Sequence, residues 1–369
     1  PTCGPTSGPT SGPTSGPTSG PPSGPTSGPT SGPTSGPTSG PTSGPTSRPT
    51  SGPTSGPTSG PTKDLAQVLP TTTPTKSADV EKMSKHILVT GGNSGIGLAL
   101  CKLLIKNHSC YVYLGSRDVS KGEAALKIIF EEVPDKSDKI EVIQSDVGDY
   151  QSCKSAAKIL KNMEVKLYAL VNNAGVGGGA ETDVIIDTNF KGPKRVTDAL
   201  VGLIDKSGGR IVNVSSRCAS MWLSDQDSAT KELFTNQDTA FEDLELVIDR
   251  NVAAENFKVG NGYGLSKAGL NALTLIPAKS YPGIKVTSLH PGFIDTPMTK
   301  GHIWFGSKAT LTPEQGCLSS IKCLFEPVIS GAYYGSDGLR SPLIVTRDPG
   351  SPEYGGEEDP DPARYNKSN

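Results

Sequence analysis

Tyr263 and Lys267 are four residues apart in a run that predicts a helix, so their side chains lie on one face, one turn apart. A phenol has an ordinary pKa near ~10 and is a poor base at neutral pH. A nearby ammonium stabilises phenolate and lowers that pKa toward the range in which general acid–base catalysis works best. The pair alone equally fits a half-buried tyrosine beside a surface lysine, so it predicts proton transfer only together with other signals.

A second chemical signal is a glycine-rich stretch that follows the apolar run 87–90. Thr90, Gly91, Gly95 and Gly97 have the spacing T-G-x-x-x-G-x-G, and an apolar helical pattern follows at once. Backbone N–H groups and the positive end of a helix dipole bind phosphates at such a turn, and glycines let the backbone approach. The stretch predicts a dinucleotide pyrophosphate site, although such glycines also make simple tight turns.

The elements that would position these residues alternate along the chain. Short, continuous apolar runs alternate with helical patterns of twelve or more residues, which is typical of a parallel sheet covered on both faces. We therefore predict an α/β fold, a Rossmann-like doubly wound parallel sheet of about seven strands with helices on both faces. Ligands bind such a sheet beyond the carboxyl ends of its strands. Polar or glycine motifs lie at these ends: Gly91, Arg117, Asp146, Asn173 and Ser215-Ser216.

The 369-residue chain divides by composition. Residues 1–62 repeat Pro-Thr-Ser-Gly and are expected to be disordered or polyproline-like, because proline recurs every fourth residue and nothing apolar can be buried. This repeat equally fits an error in the gene model or a surface stalk that carries a passenger domain. Residues 63–84 are a polar linker, residues 85–343 a single folded domain with an insertion at 217–262, and residues 344–369 an expected disordered, acidic, solvated tail.

Several classes of function are disfavoured by composition. The formal net charge is −2, with no basic patch, so we expect no nucleic-acid partner. The apolar runs are shorter than the ~18 residues that span a membrane. Seven scattered cysteines without a C-x-x-C pair suggest free thiols in a reducing compartment, and the four histidines form no metal-binding motif. We expect a cytoplasmic protein, or an organellar one, that binds no metal.

At this point the sequence resembles the short-chain dehydrogenase/reductase family from His86 to about Gly338. The matching motifs appear in the family's order: T-G-x-x-x-G-x-G, Asp146, Asn172-Asn173-Ala174-Gly175, Asn189, Ser216, Tyr263-x-x-x-Lys267 and Pro291-Gly292. The stretch VTGGNSGIGLAL, LGSRD and the long insertion before Tyr263 resemble the carbonyl-reductase-like branch. In that branch the insertion covers the surface that dimeric relatives use, which implies a monomer; an ordinary surface insertion is the alternative.

The resemblance implies a catalytic set of four residues. Tyr263 is implied to be the general acid in reduction, or the base in the reverse reaction, with Lys267 lowering its pKa and binding the nicotinamide ribose. Ser216 is implied to donate a hydrogen bond to the substrate oxygen, with Ser215 as the alternative. Asn189 is implied to hold a water that joins Lys267 to solvent.

The resemblance also implies the residues that hold the cofactor. Those implied to wrap the pyrophosphate are Gly91, Asn93, Ser94, Gly95, Ile96 and Gly97. Asp146 and Val147 are implied to hold the adenine, and Asn173 and Gly175 the adenine-side ribose. A segment implied to hold the carboxamide contains Pro291, Gly292, Ile294 and Thr296.

The cofactor predicted is NADP. An acidic residue at the end of the second strand would repel a 2′-phosphate, whereas Ser116-Arg117 stands there and an arginine suits a phosphate. The alternative is a solvated surface arginine. Ser94 departs from the basic residue that many NADP-linked members carry before the second glycine.

The predicted function is reduction of an aldehyde, ketone or quinone by NADPH. The same chemistry reversed, an alcohol or retinol-type dehydrogenase, is one alternative; a non-catalytic NAD(P)-binding sensor is another. Two departures from the family pattern are the reason to retain the sensor alternative. They are a short Gly177-Gly178-Gly179 loop, and Pro277, which is expected to kink or end the helix that starts at Tyr263.

Overall fold

One eight-stranded sheet forms the centre of the fold in a computed structural model that describes residues 84–177, 179–257, 260–300 and 308–367. The Pro-Thr-Ser-Gly repeat and the linker through residue 83 lie outside the described residues, as does Gly178. The strands are β1 (His86–Thr90), β2 (Tyr111–Ser116), β3 (Ile140–Gln144), β4 (Leu167–Asn172), β5 (Arg210–Val214), β6 (Lys285–Leu289), β7 (Tyr333–Tyr334) and β8 (Arg340–Ser341).

The sheet has the order β3-β2-β1-β4-β5-β6-β7-β8. The first seven strands are parallel, as predicted, and β8 adds an antiparallel edge strand through the register pairs Tyr333–Ser341 and Tyr334–Arg340. The order in which successive strands are added reverses at β1, because β2 and β3 lie on one side of it and β4 lies on the other. The carboxyl ends of β1 and β4 therefore meet at the point where such a sheet binds ligands.

Helices cover both faces of the sheet. They are α1 (Gly95–Asn107), α2 (Val119–Glu132), α3 (Tyr150–Asn162), α4 (Thr182–Ile186), α5 (Gly192–Leu200), α6 (Arg217–Ser224), α7 (Ser228–Thr235), α8 (Phe241–Ala253), α9 (Tyr263–Ser280), α10 (Leu318–Phe325) and α11 (Pro362–Tyr365). One core joins the sheet to α1, α2 and α10, and a second joins its other face to α3 and α5. The predicted doubly wound α/β fold is thus confirmed.

The insertion is more structured than its polar sequence suggested. Its first part forms α6 and α7, and its second part forms α8, within the expected helical stretch. Trp222 and Phe234 are buried with their rings 5.4 Å apart, and Leu244 and Ile248 are buried with them in a third core. Most of the polar residues lie at the surface, and these four apolar side chains pack the insertion onto α9.

The expectation of a solvated tail after residue 343 is wrong for residues 344–367. Tyr365 is fully buried and its hydroxyl bonds the Glu357 carboxylate. Arg347 is buried and forms a bidentate ion pair with Asp337. A tyrosine and an arginine thus anchor this part of the chain in the domain, which composition alone did not reveal.

Pro277 does not stop α9 at once. The helix continues for one further turn and ends at Ser280. Proline removes the hydrogen bond that its N–H would donate to the preceding turn, and the helix ends three residues beyond it. Among the described residues, no helix is both long enough and apolar enough to cross a bilayer.

Candidate active site

The turn between β1 and α1 has no room for side chains at two glycines. A Cβ on Gly97 would lie 2.4 Å from Nδ2 of Asn173, and one on Gly91, whose φ is +64°, would lie 2.9 Å from Cα of Ala174. Ser94 precedes α1 and makes no capping hydrogen bond with its side chain. The first N–H groups of α1 are therefore not used by this cap, and the turn fits the phosphate cradle that the sequence predicted.

Thr90 joins the carboxyl ends of the two central strands. Its hydroxyl oxygen accepts from the backbone N–H groups of Asn173 and Ala174, each at 3.1 Å, and donates to the carbonyl oxygen of Val171 at 3.3 Å. Asn173 Nδ2 returns a hydrogen bond of 2.9 Å to the Thr90 carbonyl oxygen. The glycine turn and the Asn173-Ala174-Gly175 segment are thus held as one wall.

A cleft of ≈ 360 Å³ opens at this wall. Most of the predicted cofactor residues line it: Gly91, Asn93, Ser94, Gly95, Ile96, Gly97, Arg117, Asp146, Val147, Asn173, Gly175, Tyr263, Lys267, Pro291 and Thr296. The lining also includes residues that were not predicted to hold the cofactor, among them Lys121 and Val176. The lining of the cleft therefore combines segments that lie more than 200 residues apart in the sequence.

Two predicted cofactor residues, Gly292 and Ile294, lie behind the wall of this cleft. Ile294 is buried against Gly316, and a Cβ on Gly292 would lie 2.8 Å from Cδ1 of Leu311. Their side-chain positions face the packing beneath the Pro291–Thr296 segment. The structure places them as supports for that segment and does not place them on the lining.

Lys267 is almost fully buried, with 4% of its surface exposed. Its ammonium nitrogen lies 5.8 Å from the ring centroid of Tyr263 and donates a 2.9 Å hydrogen bond to the carbonyl oxygen of Val214. Burial lowers the pKa of Lys267 to about 8. The predicted pairing of the two side chains on one helix face is therefore present.

The pKa of the Tyr263 phenol is raised, whereas Lys267 was expected to lower it. Burial raises this pKa well above its ordinary value, the Cys218 thiol acts in the same direction, and a hydrogen bond with Ser216 acts against both. In the protein without cofactor, desolvation thus outweighs the stabilisation of phenolate that Lys267 was expected to supply. The phenol is protonated at neutral pH.

The two candidate serines have different surroundings. Ser215 is buried, and its hydroxyl donates a 3.1 Å hydrogen bond to the backbone carbonyl of Lys267. Ser216 caps α6, accepts from the N–H of Cys218 at 3.2 Å and bonds the Tyr263 phenol. The hydrogen bond to the phenol favours Ser216, the residue predicted first, although Ser215 is the serine that lines the cleft.

Asn189 lies in a π-helical turn (Asp187–Lys191) between α4 and α5. Its side chain is fully buried: Oδ1 accepts from the Val176 N–H at 2.9 Å, while Nδ2 donates to the Val176 carbonyl at 2.8 Å and to Ser266 Oγ at 3.1 Å. Both amide hydrogens are used by protein atoms, so this side chain fixes Val176 on the cleft wall. Such π turns are frequent at functional sites, and no sequence signal announced this one.

Arg117 stands exposed at the end of β2, and Lys121 follows it on α2. Both line the cleft. The N–H of Lys121 donates to the Asp118 carboxylate at 3.3 Å, which caps the helix and sets its first turn beside the strand end. Arg117 lies before α2, so no helix spacing links it to Lys121, and no sequence signal pointed to this second cation.

Comparison with known proteins supports the predicted resemblance. A family model described as short chain dehydrogenase matches residues 85–228. Carbonyl reductase (NADPH) 1 of Homo sapiens is 32% identical over 252 residues, which cover 62% of this chain and 86% of the relative. The solved structure of salutaridine reductase from Papaver somniferum has a TM-score of 0.60 and 27% identity, and the match covers 68% of this chain and 99% of that one.

A further relative is matched over nearly its whole length. (+)-Neomenthol dehydrogenase of Arabidopsis thaliana is 30% identical over 285 residues, covering 67% of this chain and 93% of the relative. Sequence likeness across nearly a complete relative, on a sheet with the expected order, confirms the resemblance, and this chain therefore belongs to the short-chain dehydrogenase/reductase family as an oxidoreductase of the carbonyl-reductase type.

Proposed function

We propose that this protein is an NADPH-dependent reductase that converts the carbonyl group of an aldehyde, ketone or quinone to an alcohol, with Tyr263 as the proton donor. The observation that carries the proposal is that Tyr263 and Lys267 line the same cleft as the glycine turn, with Ser216 hydrogen-bonded to the Tyr263 phenol. A proton donor, a hydrogen-bond donor and a cation thus lie beside a dinucleotide cradle.

The residues present fit a dinucleotide. The turn has no room for a side chain at Gly91 or Gly97, so a phosphate would meet backbone atoms there. The N-terminus of α1 offers N–H groups to the pyrophosphate. Asp146 and Val147 would hold the adenine, and Asn173 and Gly175 its ribose. Pro291 and Thr296 line the end where the carboxamide would lie.

Arg117 and Lys121 support NADPH over NADH. Together they place two cations where a 2′-phosphate would lie, and no acidic side chain stands at position 116 or 117 to accept from a free 2′-hydroxyl. The human relative is likewise named as an NADPH enzyme.

NADPH, when bound, supplies the hydride that reaches the carbonyl carbon. Ser216 donates a hydrogen bond to the substrate oxygen, where negative charge develops. Tyr263 transfers its phenolic proton to that oxygen, and Lys267 balances the phenolate that remains and binds the nicotinamide ribose. Asn189 holds the wall beside Lys267 through Val176, and its part in a water relay stays a prediction.

The phenol of Tyr263 is protonated at neutral pH, since burial raises its pKa above the ordinary value near ~10, and a proton is therefore available to complete reduction. An alcohol dehydrogenase would need the phenolate as base, so it is the second candidate, favoured by the name of the neomenthol relative.

We propose that the protein is a monomer. The insertion helix α8 packs onto α9, and a Cβ on Gly269 would lie 2.7 Å from Cδ1 of Ile248. The outer face of α9 is thus occupied by the chain's own residues. Light scattering on the purified protein tests this, and a dimer mass would contradict it.

The test of function is oxidation of NADPH and NADH with a panel of aldehydes, ketones and quinones, alongside alcohol oxidation with NADP⁺. We expect turnover with NADPH that falls about 10²–10⁴-fold in Tyr263→Phe, the usual contribution of a positioned acid. Tight NADPH binding without turnover in either direction would instead favour a non-catalytic sensor.

A further inference from the structure

Residues 344–367, here called the C-terminal segment, are fixed to the β7–β8 turn by a buried arginine. Nη1 and Nη2 of Arg347 bond the two carboxylate oxygens of Asp337, each at 2.8 Å. The same guanidinium donates to the carbonyl oxygens of Ser351 at 2.6 Å and Pro352 at 2.8 Å. A bidentate arginine–carboxylate pair restricts both distance and angle. These contacts therefore anchor Arg347, and with it the start of the C-terminal segment, to the β7–β8 turn.

Asp348 is the next residue along the chain. One carboxylate oxygen, Oδ1, lies 2.7 Å from Nη1 of Arg217, and the other accepts from the N–H of Lys367 at 2.7 Å. Its own N–H donates to the carbonyl oxygen of Tyr365 at 2.8 Å. Asp348 therefore connects both ends of the C-terminal segment to Arg217, the residue directly after Ser216.

Two further hydrogen bonds hold the same turn of α6 from the C-terminal part of the chain. The Tyr333 hydroxyl donates to the carbonyl oxygen of Ser216 at 3.0 Å, and the Ser220 hydroxyl donates to the carbonyl oxygen of Pro342 at 3.4 Å. A helix of eight residues has little stability of its own, so its position depends on such tertiary contacts.

We propose that the C-terminal segment, through Asp348 and Arg217, is a positioning element that fixes the Ser216 hydroxyl opposite Tyr263. Arg217 and Asp348 are positioning residues, since they act through Ser216. The proposal rests on the reductase function proposed above, in which Ser216 must face the substrate oxygen. Small displacements of such a group lower the rate strongly while leaving cofactor binding on the other wall unchanged.

The kinetic test compares Asp348→Asn with the full-length wild-type protein. We expect kcat for carbonyl reduction to fall about tenfold, less than for loss of the Ser216 hydroxyl itself, with KM for NADPH unchanged. Asp348→Glu should recover part of the rate. In a Ser216→Ala background, Asp348→Asn should cause no further loss of kcat, because the group that it positions is gone.

Arg364→Met is the matched control, since it removes an ion pair to Glu357 inside the C-terminal segment without touching α6. It should leave kcat near the wild-type value. An equal loss of kcat from Asp348→Asn with and without the Ser216 hydroxyl would show a general structural role and overturn the proposal, as would an unchanged kcat in Asp348→Asn.

Hydrogen–deuterium exchange provides a readout that needs no substrate. Asp348→Asn should speed amide exchange in peptides covering residues 215–224 and leave the glycine turn unchanged, whereas Arg364→Met should affect neither. Unchanged exchange over residues 215–224 in Asp348→Asn would overturn the positioning contact. If the wild-type protein reduced no carbonyl, the proposed function would fail while this exchange result still decided whether the segment fixes Ser216.

Discussion

The ammonium nitrogen of Lys267 lies 2.9 Å from the carbonyl oxygen of Val214, the last residue of β5. This bond joins the start of α9 to the end of a central strand at the point where Ser215 and Ser216 leave the sheet. The buried amine is thus held by a neutral oxygen, and burial disfavours its charge.

The first prediction concerns stability against pH. Burial lowers the pKa of Lys267 to about 8 in the folded protein, against ~10.4 in the unfolded chain. Between these values the unfolded chain binds more protons, so the free energy of unfolding should rise with pH. Below about pH 8 Lys267 is charged in both states, so its burial lowers the free energy of unfolding by the full amount.

Urea unfolding at pH 7 and pH 10 measures this effect. The stability of wild type relative to Lys267→Met should increase by about 2 kcal/mol from pH 7 to pH 10, the order expected from the pKa difference. Lys106→Met, at an exposed position of α1, is the control and should show no comparable change. A relative stability of Lys267→Met that is flat across this range would contradict the assignment.

The second prediction separates the two serines. Ser216→Ala should lower kcat about 10²–10³-fold, because the hydroxyl beside Tyr263 is lost, and should cost roughly 1 kcal/mol of stability through the lost helix cap. Ser215→Ala removes a buried hydrogen bond to the Lys267 carbonyl and should cost about 1 kcal/mol with a far smaller effect on kcat. Steady-state kinetics and urea unfolding of both variants check this; the reverse ranking of kcat would exchange their roles.

The third prediction concerns cofactor choice. Arg117→Asp should weaken NADPH binding by roughly 10- to 100-fold and move preference toward NADH, since a charge-assisted bond of about 1.5–3 kcal/mol is replaced by repulsion. Lys121→Ala should weaken NADPH binding less and leave NADH binding unchanged. Titration of each cofactor by fluorescence measures this, with the exposed Lys127→Ala, farther along α2, as control. Equal losses for NADH and NADPH would place the two cations away from the 2′-phosphate.

The fourth prediction uses two glycines. An alanine at position 97 would place its Cβ 2.4 Å from Asn173 Nδ2 and from the Gly91 carbonyl oxygen. We expect Gly97→Ala to cost about 1–3 kcal/mol of stability and to abolish tight cofactor binding. Gly202→Ala has nothing within 4 Å of the added carbon and should leave both nearly unchanged. Wild-type cofactor affinity in Gly97→Ala would show that the turn is not the phosphate cradle.

The parallel sheet and the cleft were predictable because their signals are local. Each of three patterns can be recognised within a short stretch of sequence: a continuous apolar run, glycines at a strand end, and a Tyr–Lys spacing of four. The order of motifs along the chain then placed Gly97, Asn173 and Lys267 at one edge. What these residues bind and catalyse stays a prediction.

The remaining features depend on contacts between distant segments. Nothing near Asp348 announces that it meets Arg217, 131 positions earlier in the chain, so the acidic composition suggested a solvated tail. The packing of Trp222 against Phe234 is likewise hidden in a polar stretch. The raised pKa of Tyr263 results from burial, which a spacing rule does not measure.

The last strand of the sheet ends with little unpaired backbone. The Arg340 N–H donates to the Glu353 carboxylate at 3.1 Å, and its carbonyl oxygen accepts from the Tyr354 N–H at 3.1 Å. An open sheet edge is a template on which an extended strand of another molecule can add, and such addition begins aggregation. Residues 353 and 354 close that template, so a chain shortened before them would become prone to intermolecular strand pairing at β8.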